Sequence, residues 1–126
     1  MVGIVIVSHS KKLAEGIVEL AAQMAPEAVI IPAGGLPDGG LGTSERLIED
    51  AINEAMSPDG VVLLADLGSA IMSAEIAIES CEGTVKIGDG PIVEGAMVAS
   101  VQASVGMDLN TVLETVRQAR NIPKEP

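Results

Sequence analysis

The sequence predicts an α/β fold: one domain on an open, mostly parallel sheet of strand order 2-1-3-4, with helices on both faces. Two observations predict it. Short, continuous β-branched runs alternate with stretches whose apolar residues recur at helical spacing. Each run also stops abruptly, at a polar triplet, a proline or a glycine cluster. At 126 residues and 48% hydrophobic content, the chain can bury a core and is not disordered.

Residues 2–7 read as a buried strand. From Ser10 to Met24 the residues Leu13, Ile17, Leu20, Ala21 and Met24 recur at helical spacing, and Pro26 stops that helix. Residues 28–31 form a second strand, closed by Pro32. Residues 33–42 are a loop with five glycines. Thr43 or Ser44 caps a second helix that buries Leu47, Ile48, Ala51, Ile52, Ala55 and Met56. After the turn Pro58-Asp59-Gly60, residues 61–65 are a third buried strand. Asp66-Leu67-Gly68-Ser69 opens a third helix that reaches about Ser80. Residues 84–87 are a weaker fourth strand. Pro91 suits the first turn of a helix carrying Ile92, Val93, Ala96, Met97 and Val101. Gly106 breaks it, and Asp108 caps a final helix with Leu109, Val112, Leu113, Val116 and Ala119 on one side. The domain spans 1–122, and 123–126 is a loose tail.

Composition excludes several functions. There is no aromatic residue, so bases have no stacking platform. The net charge of −11, from 7 basic and 18 acidic residues, repels phosphate backbones and anionic membrane surfaces. The same charge attracts a protein with a basic face, although most of the acids need do no more than keep the domain soluble. The single cysteine, Cys81, makes no internal disulfide and suits a reducing compartment. No apolar stretch is long enough to span a bilayer, and the N-terminus lacks the charged segment of a signal peptide. The expected location is the cytoplasm.

The chemistry concentrates on the only histidine, His9, in the triplet Ser8-His9-Ser10 where the first strand ends. Histidine can hold or release a proton near neutral pH and can carry a group covalently. With strands one and three adjacent, Asp66 ends the neighbouring strand and faces His9 across the sheet edge. A carboxylate there accepts one ring N–H, fixes the tautomer and leaves the other nitrogen as a nucleophile. No serine elbow supports acyl transfer, and no ligand set supports zinc or another metal. Phosphoryl transfer fits best, because it needs positioning and charge stabilisation. N–H groups opening the helix after Ser10, backbone at 39–42 and the Gly68-Ser69 turn are candidate donors to an anion, with Lys11 and Lys12 nearby. The plainer readings are a capping histidine, an Asp66 that only caps its helix, a glycine loop without function and a Cys81 that only packs. The methionines fill gaps in an aromatic-free core.

Several short pieces then carry a resemblance. They are Val7-Ser8-His9-Ser10, Gly42-Thr43, Asp66-Leu67-Gly68-Ser69-Ala70, Ser73-Ala74-Glu75, Pro91-Ile92-Val93-Glu94-Gly95 and Ala103-Ser104-Val105-Gly106. Over nearly its whole length the chain resembles the phosphotransfer subunits of dihydroxyacetone kinases fed by the phosphoenolpyruvate:sugar phosphotransferase system. The fold is similar to the mannose-type IIA domains of that system. The resemblance implies that His9 takes a phosphoryl group from the carrier HPr and passes it to ADP held on a nucleotide-binding kinase subunit. The resulting ATP phosphorylates dihydroxyacetone on a third subunit. It also implies Asp66 as the orienting partner, with Ser10, Gly40, Thr43, Gly68 and Ser69 around the phosphate. No cofactor or metal is expected on this chain, which is expected to form a homodimer and to receive HPr from outside. The rivals are a IIA component of a mannose-type sugar transporter and a non-catalytic interaction module. A receiver-like domain would need acidic residues at the end of the first strand, which this chain lacks.

Overall fold

The computed structural model describes residues 1–125, so Pro126 of the expected tail lies outside the described residues. Four parallel strands form one sheet in the order β2-β1-β3-β4. The strands are β1 (Gly3–Ser8), β2 (Ile30–Gly34), β3 (Val61–Ala65) and β4 (Val85–Ile87). The helices are α1 (Lys11–Met24), α2 (Glu45–Ala55), α3 (Gly68–Glu79), α4 (Ile92–Ser104) and α5 (Leu109–Gln118), with a 3₁₀ turn at Ala119–Asn121. The expected α/β architecture and strand order are those observed.

Successive strand residues point to opposite faces, so the sheet has two separate cores. Ile4, Ile6, Val62 and Leu64 pack against α1, α4 and α5 through residues such as Ile17, Ala96, Ala99, Val112 and Val116. Val5, Val7, Val61 and Leu63 pack the other face against α2 and α3 through Ile48, Ile52, Ala70 and Ala74. The central strands are apolar up to Val7 in β1 and throughout β3 because both of their faces are covered.

Three local expectations change and a fourth is narrowed. β2 runs through Pro32 to Gly34 instead of stopping at the proline. Val29 O accepts from Ile4 N–H at 2.9 Å and Gly35 N–H donates to Ser8 O at 3.1 Å, so the odd-numbered residues face β1. The Pro32 nitrogen faces away from β1, and the ladder loses no bond there. Helix α1 buries Ala14, Ile17 and Ala21, while Leu13, Leu20 and Met24 stay exposed. Of the two expected caps, Ser44 is the one that caps α2, accepting from Leu47 N–H at 3.2 Å. In that helix Leu47 and Met56 are only half-buried.

Between Gly95 and Met107 the chain carries no charged residue. Val105 and Met107 are exposed there, and Met97, Val98 and Val101 half-exposed, with Met24 of α1 against them. Past the 3₁₀ turn, residues 122–125 are exposed and form no helix or strand, and Lys124 Nζ lies 2.7 Å from Glu94 Oε2. No helix among the described residues is long and apolar enough to cross a membrane.

Candidate active site

Parallel pairing of β1 with β3 brings two strand ends together. Val7 pairs with Ala65, and Asp66 N–H continues the ladder to Val7 O at 3.1 Å. The next residue on one strand is Ser8 and then His9; on the other it is Asp66. All three sit at the carboxyl edge of the sheet, where open α/β sheets place their ligands.

The Asp66 carboxylate accepts four hydrogen bonds. Oδ2 receives the Ser8 hydroxyl at 2.9 Å and His9 N–H at 3.0 Å. Oδ1 receives His9 Nδ1 at 3.0 Å and Leu67 N–H at 2.8 Å. Burial pushes this carboxyl up. The bonds from the His9 backbone, the His9 ring and Ser8, with the attraction of the ring, outweigh it and hold the group below the ordinary carboxylate value. Asp66 is therefore an acceptor only, which makes Nδ1 of the neutral ring the N–H donor and leaves the lone pair on Nε2. The Asp66 side chain is 11% exposed and that of His9 28%, so the carboxylate is sheltered and the ring is reachable.

Ser69 Oγ lies 2.8 Å from Nε2 and donates to that lone pair. Ser69 stands in the first turn of α3, whose N-cap, Leu67, offers no side-chain cap. Asp66 therefore does not cap α3, against the plainer reading of that residue. The Gly68 and Ser69 N–H groups have no acceptor among the described residues, and the space over Gly68 is open. An exposed helix start beside an imidazole is suited to receive an anion.

The start of α1 is less open. Ser10 Oγ accepts from Leu13 N–H at 3.2 Å, and Ser10 N–H donates to Ser8 Oγ at 3.0 Å, so Ser10 is occupied as a cap. The glycine loop folds over that turn. A Cβ on Gly35, at φ +72°, would lie 3.3 Å from Lys11 N, and one on Gly34 would lie 2.5 Å from Ser10 O. Only glycine lets β2 and the loop approach α1 this closely.

The structure thus joins His9, Asp66, Gly68 and Ser69. Within the loop, Gly42 N–H donates to His9 O at 2.8 Å, whereas Gly40 N–H is held by Asp38 Oδ1 at 2.8 Å. Thr43 Oγ1 pairs with Ser73 Oγ at 2.7 Å, one helical turn along α3 from Ser69. Neither Gly40 nor Thr43 hydrogen-bonds His9. Sequence reasoning missed Ser8, Leu67 and Ser73 as parts of this network, and it offered Gly42 among the 39–42 backbone donors to an anion, whereas the Gly42 N–H is taken by His9 O. The β1–β3 register was the signal that could have found Ser8, because it sets residue 8 beside residue 66. No group of three His, Cys, Asp or Glu disposed to hold a metal ion occurs among the described residues.

The EIIA-man family model, described as PTS system fructose IIA component, matches residues 3–113. A Listeria innocua protein named phosphoryl donor subunit DhaM of PEP-dependent dihydroxyacetone kinase 2 is 40% identical over 119 residues, covering 90% of this chain and 95% of the relative. A DhaM of Providencia stuartii is 38% identical over 94% of this chain, which spans only 27% of that longer protein. The crystal structure of a protein of unknown function, EF1359, superposes with a TM-score of 0.82 at 38% identity, covering 93% of each chain. The chain belongs to the EIIA-man family of phosphotransferase-system components, alongside relatives named as DhaM phosphoryl donor subunits.

Proposed function

We propose that this protein is a phosphohistidine carrier that serves a dihydroxyacetone kinase. The observation that carries the reading is the clasp of His9 Nδ1 by Asp66, with Nε2 reachable at the start of α3. The Nε2 lone pair attacks phosphorus on phosphorylated HPr, forming the new N–P bond as the bond to the donor histidine breaks. The Nδ1 proton stays on the ring, and Asp66 stabilises the resulting cationic phosphoimidazole. Ser69 turns its hydroxyl from Nε2 to a phosphoryl oxygen, joined by the Gly68 and Ser69 N–H groups. In the second step a β-phosphate oxygen of ADP on the nucleotide-binding kinase subunit takes the phosphoryl group. The ATP formed there phosphorylates dihydroxyacetone, and His9 returns to its neutral state.

Relatives named as phosphoryl donor subunits of PEP-dependent dihydroxyacetone kinases support the choice of acceptor. The acidic surface favours a donor with a basic docking face, and the nucleotide belongs to the partner subunit. Under this reading the exchange takes place in the cytoplasm, and the protein works as a homodimer. The charge-free surface of α4 beside Met24 supports self-association, because copies of a strongly acidic chain repel each other elsewhere. Ser10 at the start of α1, Gly40 of the glycine loop and Thr43 just past it are outer members of the phosphate surroundings in this reading, each of them hydrogen-bonded to a group other than His9.

The test is reconstitution. Incubation with phosphoenolpyruvate, enzyme I and HPr should put an acid-labile, base-stable phosphate on the wild type and none on His9→Ala. Adding the two kinase subunits should then yield dihydroxyacetone phosphate. No label on the wild type would end the carrier reading. Label without product would favour the IIA component of a sugar transporter.

A further inference from the structure

Ser8 is fully buried at the end of β1, yet its hydroxyl is committed on both sides. Ser10 N–H can only donate, so Ser8 Oγ accepts from it at 3.0 Å. The Asp66 carboxylate can only accept, so the one hydroxyl proton points to Oδ2 at 2.9 Å. These two bonds give the hydroxyl a single orientation and link the carboxylate to the first turn of α1.

We propose that Ser8 is a positioning residue for the His9 nucleophile, acting through Asp66 rather than touching the transferred group. With the Ser8 hydroxyl and His9 N–H on Oδ2 and Leu67 N–H on Oδ1, the carboxylate is held against turning about its axis, and Oδ1 stays opposite Nδ1. The ring proton is thereby held on Nδ1 and the lone pair on Nε2. A half-buried carboxylate that lost this donor would keep only one backbone N–H on each oxygen and gain slack in its orientation, and the ring could take up the other tautomer, with its proton on Nε2. Position 8 lies on the same sheet face as Ile4 and Ile6, where a purely structural residue would be apolar. The serine there gives up apolar packing for a hydrogen bond that the carboxylate uses.

The proposal rests on the carrier reading for its consequence in transfer, but not for its first measurement. His9 is the only histidine, so ring ¹⁵N NMR reports one imidazole without assignment. The neutral wild-type ring should show its proton on Nδ1. Ser8→Ala should shift the population toward the Nε2–H tautomer and slow phosphorylation by HPr about 10- to 100-fold, the usual cost of losing an orienting group. Ser8→Thr should restore both. If the added methyl prevents folding, Ser8→Cys, a weaker donor of similar size, should fall between serine and alanine. An unchanged tautomer in folded Ser8→Ala would overturn the proposal even where the rate fell, because that loss would be structural. A wild type that takes no phosphoryl group would instead defeat the carrier reading, and the tautomer measurement would still decide the role of Ser8.

Discussion

Replacing Asp66 by Asn tests the centre of the site. The carboxylate has two backbone partners, His9 N–H on Oδ2 and Leu67 N–H on Oδ1, one on each oxygen. An amide has one oxygen, so either orientation leaves one of these N–H groups facing a second donor. An orphaned donor in this sheltered position costs about 1–3 kcal/mol of stability. The chemical effect depends on which way the amide turns. With NH2 toward the ring, Nδ1 must accept, the proton moves to Nε2 and the nucleophilic lone pair is lost. With the carbonyl toward the ring the tautomer survives, but the negative charge that would stabilise the proposed phosphoimidazole is gone. Transfer should fall by about 10²- to 10⁴-fold, the upper figure being that of the same exchange in a serine protease triad. Rapid-quench phosphorylation by labelled phospho-HPr measures the rate, and urea unfolding measures the stability. A folded Asp66→Asn protein within about threefold of the wild-type rate, under ~1 kcal/mol, would refute the assigned role of the carboxylate.

Three further outcomes follow from the same coordinates. Because folding lowers the Asp66 pKa, its stabilisation is complete above the unfolded value of about 3.9 and is lost as pH falls through the folded value. Urea midpoints taken down through that acid range should drop more steeply for the wild type than for Asp66→Asn, and parallel curves would contradict the shift. Gly34→Ala drives a Cβ to 2.5 Å from Ser10 O and 2.8 Å from Ala14 Cβ, so calorimetry should show the overpacking loss of about 1–3 kcal/mol as a fall in Tm of several degrees. An unchanged Tm would show that β2 and α1 can separate freely. Met24→Glu places a charge in the charge-free patch, and sedimentation should show the proposed homodimer weakened by it; a wild type that sediments as a monomer would remove that assembly.

Much of this was legible in the sequence. The buried runs at 2–7 and 61–65 announced central strands, since only strands covered on both faces are apolar at every position. His9 and Asp66 could be brought together because each follows such a run. What escaped depended on neighbours that a single chain does not display. Pro32 reads as a stop signal even though the predicted strand order puts strand two at the edge, because only the ladder's register shows that its nitrogen faces outward. Leu13, Leu20 and Met24 read as core, but α1 approaches the sheet through Ala14 and Ala21, whose small side chains leave the larger ones outside. The Ser8 hydroxyl and the Thr43–Ser73 pair depend on side-chain directions set by strand register and helix packing. Gly40 drew attention as part of a glycine run, while the bond to His9 O is made by Gly42 two residues later.

Pro32 also bears on how molecules of this protein meet. A sheet margin is a template onto which another chain can add a strand wherever donors and acceptors stand in an open row. β2 is one margin of this sheet, and the outward position at its middle is a proline nitrogen with no hydrogen to offer. An arriving strand would miss a bond at that point and collide with the ring. The opposite margin, β4, is only three residues long. One border is thus closed to strand addition by chemistry and the other is kept short. Crowded copies are thereby kept from fusing edge to edge into extended sheets, and the contacts left to them are those between helices.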